Sequence, residues 1–395
     1  MTKLKDICNK IGSGATPKGG KEAYCKSGIS LIRSQNILDY SFSASGLAYI
    51  NDFQAEKLKN VIVEDQDVLI NITGDSVART CMVEKQYLPA RVNQHVCIVR
   101  ANPSKVIPSY LLYFLQTQKN YLLQMAAGGA TRNALTKEMI SNLEIELPSI
   151  EEQKRIVFIL DDIQEKITIN NKINNNLEQQ MQALFNEYLS SNEFDNLTTV
   201  EKVVLTANTG ADAIQKAPIV DYDTGIRCIR VGDMTNSRSF YEWGFTKVTD
   251  EVFKRYQLHK NDIVVTRTAS LGFNTIIPKD LSAVYNNGLI RLTVDTSIML
   301  PLYLYRQFQT EDFANYIARI ESETSVRPNM KINYLLKYEF VLPPIEKQGE
   351  LIELLTPMLN QQNNLISENQ QLESLRNTLL PKLMSGEINV TELDI

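Results

Sequence analysis

The stretch LPSIEEQKRIVFIL (Leu147–Leu160) returns as LPPIEKQGELIELL (Leu342–Leu355), an offset of 195 residues (Leu342 minus Leu147). After Pro148 the first copy runs to about Leu189 with no Gly and no further Pro. Its apolar residues alternate at spacings of four and three: Ile156, Leu160, Ile163 and Ile167, then polar positions at Asn170 and Asn174, then Leu177, Met181 and Leu184. The second copy gives Leu351, Leu355, Met358, Gln362, Leu365, Asn369, Leu372, Arg376 and Leu379. A seam of period 3.5 held for four or more heptads predicts a long helix built to pair with another helix. The leading proline suits a first turn, where its missing N–H is not needed. Gly349 and Pro357 make the second copy less regular, and Pro357 is expected to kink the helix, since the seam keeps its phase across it. Two such helices in one chain are expected to pair with each other, with Asn170 and Asn369 fixing the register.

At 395 residues the chain is long enough for two or three domains. The opening MTKLKDICNK is polar and no apolar run approaches the roughly 20 residues of a span, so a cytoplasmic protein is expected. Five cysteines (Cys8, Cys25, Cys81, Cys97, Cys228) form no C-x-x-C pair and read as reduced thiols. With only His95 and His259, zinc sites and His-based catalysis lack raw material. The net charge of −5 is unevenly spread: residues 1–147 carry +4 and 196–341 carry +1, while 148–195 and 342–395 carry −5 each. The acid sits on the helical stretches, which removes the objection to DNA binding by the remainder without making the case for it.

The intervening segments repeat too. Ser27–Ile37 lines up with Thr224–Met234, Glu64–Asp75 with His259–Ser270 (Asp67 facing Asp262), Asn93–Arg100 with Asn286–Val294, and Pro108–Thr117 with Leu300–Thr310. The order is preserved, as a domain duplication requires. Strands are expected at Ile29–Ile32, Asp67–Ile72 and Val96–Val99, and at Ile226–Val231, Asp262–Thr266 and Leu289–Val294. Helices are expected at Pro108–Met125 and Pro301–Ile320, and a last strand at Leu143–Leu147 and at Glu339–Leu342.

No catalytic constellation emerges. GSGATPKGGK (Gly12–Lys21) fails the phosphate-loop pattern, because Ala15 stands where the first Gly is needed and Glu22 follows Lys21. Asn102–Pro103 lacks the further residues of an amino-methyltransferase motif, and the acidic pairs Asp161–Asp162 and Glu151–Glu152 fall on the long helix as solvated groups. What remains are polar loops bearing the side chains that read base edges, Arg or Lys for guanine and Asn or Gln for adenine. In the first half the candidates are Lys18, Arg33, Gln35, Asn36, Asn71, Thr73, Ser76, Arg79, Arg91, Asn93, Gln94, Arg132, Asn133 and Lys137. In the second they are Arg230, Asp233, Arg267, Thr268, Ser270, Asn286, Asn287, Arg327, Asn329 and Lys331.

Over nearly its whole length the chain resembles the DNA-specificity (S) subunits of type I restriction–modification systems. GSGATPKGGKEAY followed by GISLIRSQNI is similar to the opening of a target-recognition domain; LPSIEEQKRI and LPPIEKQGEL are similar to the family's entry into its long paired helices; and LESLRNTLLPKLMSGEI (Leu372–Ile388) is similar to the end of the second. The second copy departs from the pattern where TANTGADAIQKAP lacks the Gly-Ala-Thr-Pro core and Gly349 replaces a basic residue. The resemblance implies an α+β (mixed α/β) protein: target-recognition domains at 1–147 and 196–341, and long helices at 148–195 and 342–395 that form an antiparallel coiled coil, all with pseudo-twofold symmetry. It implies a subunit with no catalysis, metal or cofactor of its own. Each domain would read one half of a split asymmetric site on double-stranded DNA, and the helices would set the spacing. Two methyltransferase subunits carrying S-adenosylmethionine would dock there, and two restriction–translocase subunits could join them. Two other readings stand beside it. A self-contained restriction–methylation enzyme needs a motif that is missing, and an orphan scaffold would use the coiled coil without reading DNA.

Overall fold

The computed structural model describes residues 1–17, 19–127, 134–192, 194–236, 238–323 and 328–392, without the side chains of 20, 21 and 392. The chain forms two compact units, Met1–Asn171 with Ile366–Ile395, and Lys172–Leu365. Each combines one globular segment with parts of both long helices.

In the first unit an antiparallel sheet runs Cys8–Ser13, Val96–Ala101, Val68–Asn71, Thr80–Met82. A mixed sheet runs Ala48–Ile50, Ile29–Ile32, Ala90–Val92, Ile62–Val63, with Ile29–Ile32 and Ala90–Val92 parallel. The second unit repeats the antiparallel sheet with Val204–Thr209, Leu289–Val294, Ile263–Thr266 and Asn274–Ile276. It repeats the parallel pair with Arg227–Ile229 and Ala283–Tyr285. The outer strands differ. Ile62–Val63 extends the sheet beyond Ala90–Val92 in the first unit, whereas Ile219–Val220 extends it beyond Gly244–Thr246 in the second.

The expected strands Ile29–Ile32 and Leu289–Val294 form with those bounds. Val68, Leu69 and Ile70, and Ile263, Val264 and Val265, are fully buried, as a continuous apolar run between polar ends requires. Both expected globular helices split, into Pro108–Thr117 and Lys119–Ala127 and into Pro301–Gln307 and Glu311–Glu323. No Gly or Pro marks either break; in the second, the Thr310 hydroxyl accepts from the Phe313 amide and caps the new helix. The strand expected over Ile226–Val231 stops at Ile229, and a short helix Val231–Thr235 follows.

One buried carboxylate recurs in each antiparallel sheet. Asp67 accepts from the Glu64 amide at 2.8 Å, and Asp262 accepts from the His259 amide at 2.9 Å, so each closes the turn that starts its strand. In the first unit Arg100 donates to both Asp67 oxygens, at 2.7 and 2.8 Å. In the second the Thr293 hydroxyl donates to Asp262 at 2.9 Å and Arg291 stands 3.8 Å away. The same carboxylate is thus satisfied by different residues of the neighbouring strand. Gly14 and Gly210 also match. A Cβ on Gly14 would lie 2.2 Å from the carbonyl oxygens of Val92 and Asn93, and one on Gly210 2.3 Å from those of Tyr285 and Asn286. The following amides, Ala15 and Ala211, donate to the carbonyls of Val92 and Tyr285. The second copy therefore keeps the Gly-Ala pair of the first where the rest of that motif is lost.

The long helices span Ile150–Ser191 (42 residues) and Ile345–Met384 (40 residues), the second continuing unbroken through Gly349 and Pro357. In the first unit they pair antiparallel: Arg376 donates to the Gln164 side chain, and Asn170 donates to Asn369. In the second unit Gln362 donates to the Asn174 carbonyl and the Glu178 carboxylate and the Tyr188 hydroxyl donates to the Lys347 carbonyl, again with partners descending along one helix as they ascend along the other. Ile156, Leu160, Ile163, Ile167, Met181, Leu351, Leu355 and Leu365 are buried, and Leu177, Leu184, Met358, Leu372 and Leu379 are half-buried. The proline-led motif has a second function that periodicity hides. Gln153 is buried, accepts from the Ile107 amide at 2.9 Å, and donates to the carbonyls of Lys105 and Pro148. Gln348 does the same with the Leu300 amide at 2.8 Å and the carbonyls of Ile298 and Pro343. Each glutamine ties the start of a long helix to the globular segment before it.

Candidate nucleic-acid interface

In the first unit, the loops that follow Ile29–Ile32, Val68–Asn71 and Ala90–Val92 meet at one end of the sheets. The Asn93 amide donates to the Ile32 carbonyl at 3.0 Å and the Ile72 amide to the His95 carbonyl at 2.9 Å. A bridge joins Thr73 to Ala134, and the Leu135 amide donates to the Ile72 carbonyl. His95 sits at the centre: its Nδ1 is 2.6 Å from the Thr73 hydroxyl and its Nε2 is 3.1 Å from the Gln94 amide nitrogen. In the second unit the matching loops meet in the same way. The Asn286 amide donates to the Ile229 carbonyl, the Arg267 amide to the Gly288 carbonyl, and Thr268 bridges Asn329. Gly74 and Ala269 take the same left-handed turn, φ +78° and +65°.

The candidate residues fall into distinct groups. Asn36 is fully buried; its Oδ1 accepts from the Arg33 amide and its Nδ2 donates to the carbonyls of Ser43 and Ser45. Asp233 does the equivalent work, accepting from the Arg230 amide and from the side chains of Arg230 and Arg238. Asn71 is fully buried, donating to the Ser34 carbonyl and the Ser76 hydroxyl. Arg91 is buried and donates to the carbonyls of Ala55 and Ala90, and buried Asn93 accepts from the His95 amide. In these five the polar side chain closes the chain's own loops, because groups that suit base edges also suit backbone amides and carbonyls.

Others are half-buried, or exposed in the case of Gln35, and partly engaged. Arg33 and Gln35 both donate to the Gly46 carbonyl. Arg267 donates to the carbonyls of Asn287 and Met330 and to the Asn329 side chain. The Asn286 Oδ1 accepts from the Gly288 amide. Among the described residues Arg79, Lys137, Thr268, Ser270, Asn287 and Lys331 have side chains with no hydrogen-bond or ion-pair partner, and Lys137, Asn287 and Lys331 are exposed. Lys18, Arg132, Asn133 and Arg327 lie outside the described residues.

No group of three or more His, Cys, Asp or Glu among the described residues could hold a metal, and no described helix is long and apolar enough to cross a membrane. The cysteines are free of disulfides. Burial pushes the thiols of Cys8, Cys97 and Cys228 up to about 12, which keeps them protonated and inert.

A duplicated recognition fold, with polar loop edges on each copy and paired helices, is the class that these features define. A family model described as the type I restriction modification DNA specificity domain matches residues 1–179 and 208–375. The chain belongs to that family; it is a specificity component and not an enzyme. It is 29% identical over 178 residues to the specificity subunit of the type I restriction enzyme MjaX of Methanocaldococcus jannaschii, a match covering 44% of this chain and 41% of that protein. To the MjaVIII specificity subunit of the same organism it is 21% identical over 371 residues, covering 88% of this chain and 86% of the other. A crystal structure of a type I system S subunit from M. genitalium has 13% identity and a TM-score of 0.49, covering 97% of this chain and 95% of that one.

Proposed function

We propose that each globular segment reads one half of a bipartite, asymmetric site on double-stranded DNA. The observation that carries this is the repeated loop edge. In both units the same set of loops is tied together by equivalent backbone bonds, yet equivalent positions along the edge carry different side chains: Ile72, Gln94 and Ala134 in one, Arg267, Asn287 and Asn329 in the other. Equal scaffolds with unequal tips suit two readers of unequal sequences. The long helices set the spacing between half-sites. At 1.5 Å per residue, 42 residues make a rod of about 63 Å, longer than a DNA turn of about 34 Å. Their acidic outer surface docks two methyltransferase subunits, which carry S-adenosylmethionine, and two restriction–translocase subunits can join the complex.

The test is genome-wide mapping of methylated adenines in cells carrying this chain with its methyltransferase subunit, before and after residues 1–147 are exchanged for those of another family member. A split motif of which one half changes supports the reading. No motif in either case sinks it and leaves a scaffold that does not read DNA.

A further inference from the structure

The hairpin bearing a reading loop has one register in both units, but its return strand begins with different chemistry. In the first unit Ile70 pairs with Thr80, and the Asn71 amide donates to the Arg79 carbonyl at 2.9 Å. In the second Val265 pairs with Asn274, and the Thr266 amide donates to the Phe273 carbonyl at 2.8 Å. Arg79 and Phe273 therefore hold one position of a shared scaffold. Sequence spacing hides the match, because the loop before Phe273 is shorter by one residue.

In the first unit that position carries a half-buried guanidinium with no partner among the described residues. In the second it carries a phenyl ring 49% exposed, next in the chain to a loop holding Arg267, Thr268 and Ser270. The ring is presented from a fixed backbone. The Phe273 amide donates to the Thr266 hydroxyl at 3.0 Å, and Gly272 takes φ +78°, where a Cβ would meet Ile317 at 2.9 Å. A single exposed apolar side chain is ordinary in itself. One that replaces an unpaired arginine at the same register of a polar reading edge is not.

We propose that this position reads DNA in both units, and that Phe273 contacts the 5-methyl group of a thymine in the half-site of the second unit. The proposal rests on the reading of the units as DNA-specificity modules. In the major groove, arginine matches the O6 and N7 acceptors of guanine, whereas the thymine methyl is the feature that an apolar side chain can select. The neighbouring Arg267 and Asn329 carry the donors and acceptors that suit the same groove.

The experiment uses the full chain in complex with its methyltransferase subunits, after the wild-type motif has been mapped. Absence of any motif defeats the DNA-specificity reading itself and is seen before this test begins. Each thymine of the second half-site is then replaced singly by uracil, which removes only the methyl group, and Kd is measured for wild type, Phe273→Ala and Phe273→Leu. One replacement is expected to weaken wild-type binding about four-fold, the value of one buried methylene-sized group, and to have no effect on Phe273→Ala. Phe273→Leu, which keeps apolar bulk, should retain part of the effect. The proposal is overturned if the second half-site has no A·T pair, if no uracil weakens wild-type binding, or if the weakening persists unchanged in Phe273→Ala.

Discussion

The Asn170 Nδ2 donates to the Asn369 Oδ1 at 2.9 Å, and the Asn369 Nδ2 donates to the Asn171 Oδ1 at 2.9 Å, in the polar middle of the helix seam. The Asn170 Oδ1 is buried without a partner. Such a network trades stability for register. Asn369→Leu alone should cost about 1–3 kcal/mol, because it removes one acceptor of the Asn170 amide, which keeps only Glu368, and the donor to the Asn171 side chain. Asn170→Leu combined with Asn369→Leu should melt above either single variant. Thermal unfolding checks both, and a double variant less stable than each single one would refute the coupling.

Gln153 and Gln348 each close three backbone groups at the entry to a long helix. Alanine at either position should cost about 1–3 kcal/mol, and hydrogen exchange should accelerate at the Ile107 amide in one case and at the Leu300 amide in the other. If each variant instead leaves its amide protected, the glutamine is not the tie.

Asp67 and Asp262 occupy equivalent positions but should respond unequally. Removing Asp67 takes the two-point partner from Arg100, itself mostly buried, which keeps Glu64 and the Ile62 carbonyl, for a loss of about 1–3 kcal/mol. Asp262→Ala leaves a neutral hydroxyl and an arginine already 3.8 Å away, and should cost less. Denaturant midpoints of the two variants decide the order.

Arg79→Ala should weaken recognition at one base position by about 1–3 kcal/mol if the guanidinium takes guanine bidentately. The same holds for Arg132→Ala and Arg327→Ala. Binding to a panel of half-site variants separates this from a phosphate contact, for which the loss is uniform across sequences.

Several residues inserted between Ile163 and Leu184 should change the tolerated spacer and leave both half-sites alone. Methylome mapping reads both quantities, and altered half-sites would defeat the strut model.

Much of the fold was legible because it is periodic and duplicated. The proline-led entries, the Asn170–Asn369 register pair and the strands at Ile29–Ile32 and Leu289–Val294 all follow from spacing. The splits near Gln118 and Thr310 were not legible, since neither Gly nor Pro marks them. Gln153 and Gln348 look like solvated helix positions until the preceding loop is folded against them. The loop-capping bonds of Asn36 and Asp233 were not legible, because residue type alone cannot separate a loop cap from a base reader. Phe273 was missed for a reason of arithmetic: one residue fewer in its loop shifts the alignment.

The loop roots bear on how such a protein changes over generations. Asn36, Asp233, Gly14 and Gly210 hold the reading edge from within, bonded to or pressed against the chain's own backbone. The side chains beyond them can be exchanged at little thermodynamic risk, as arginine for phenylalanine at one hairpin position already illustrates. Under the proposed DNA-reading role, a lineage pressed toward a new target would rewrite the tips while the foundations stay put.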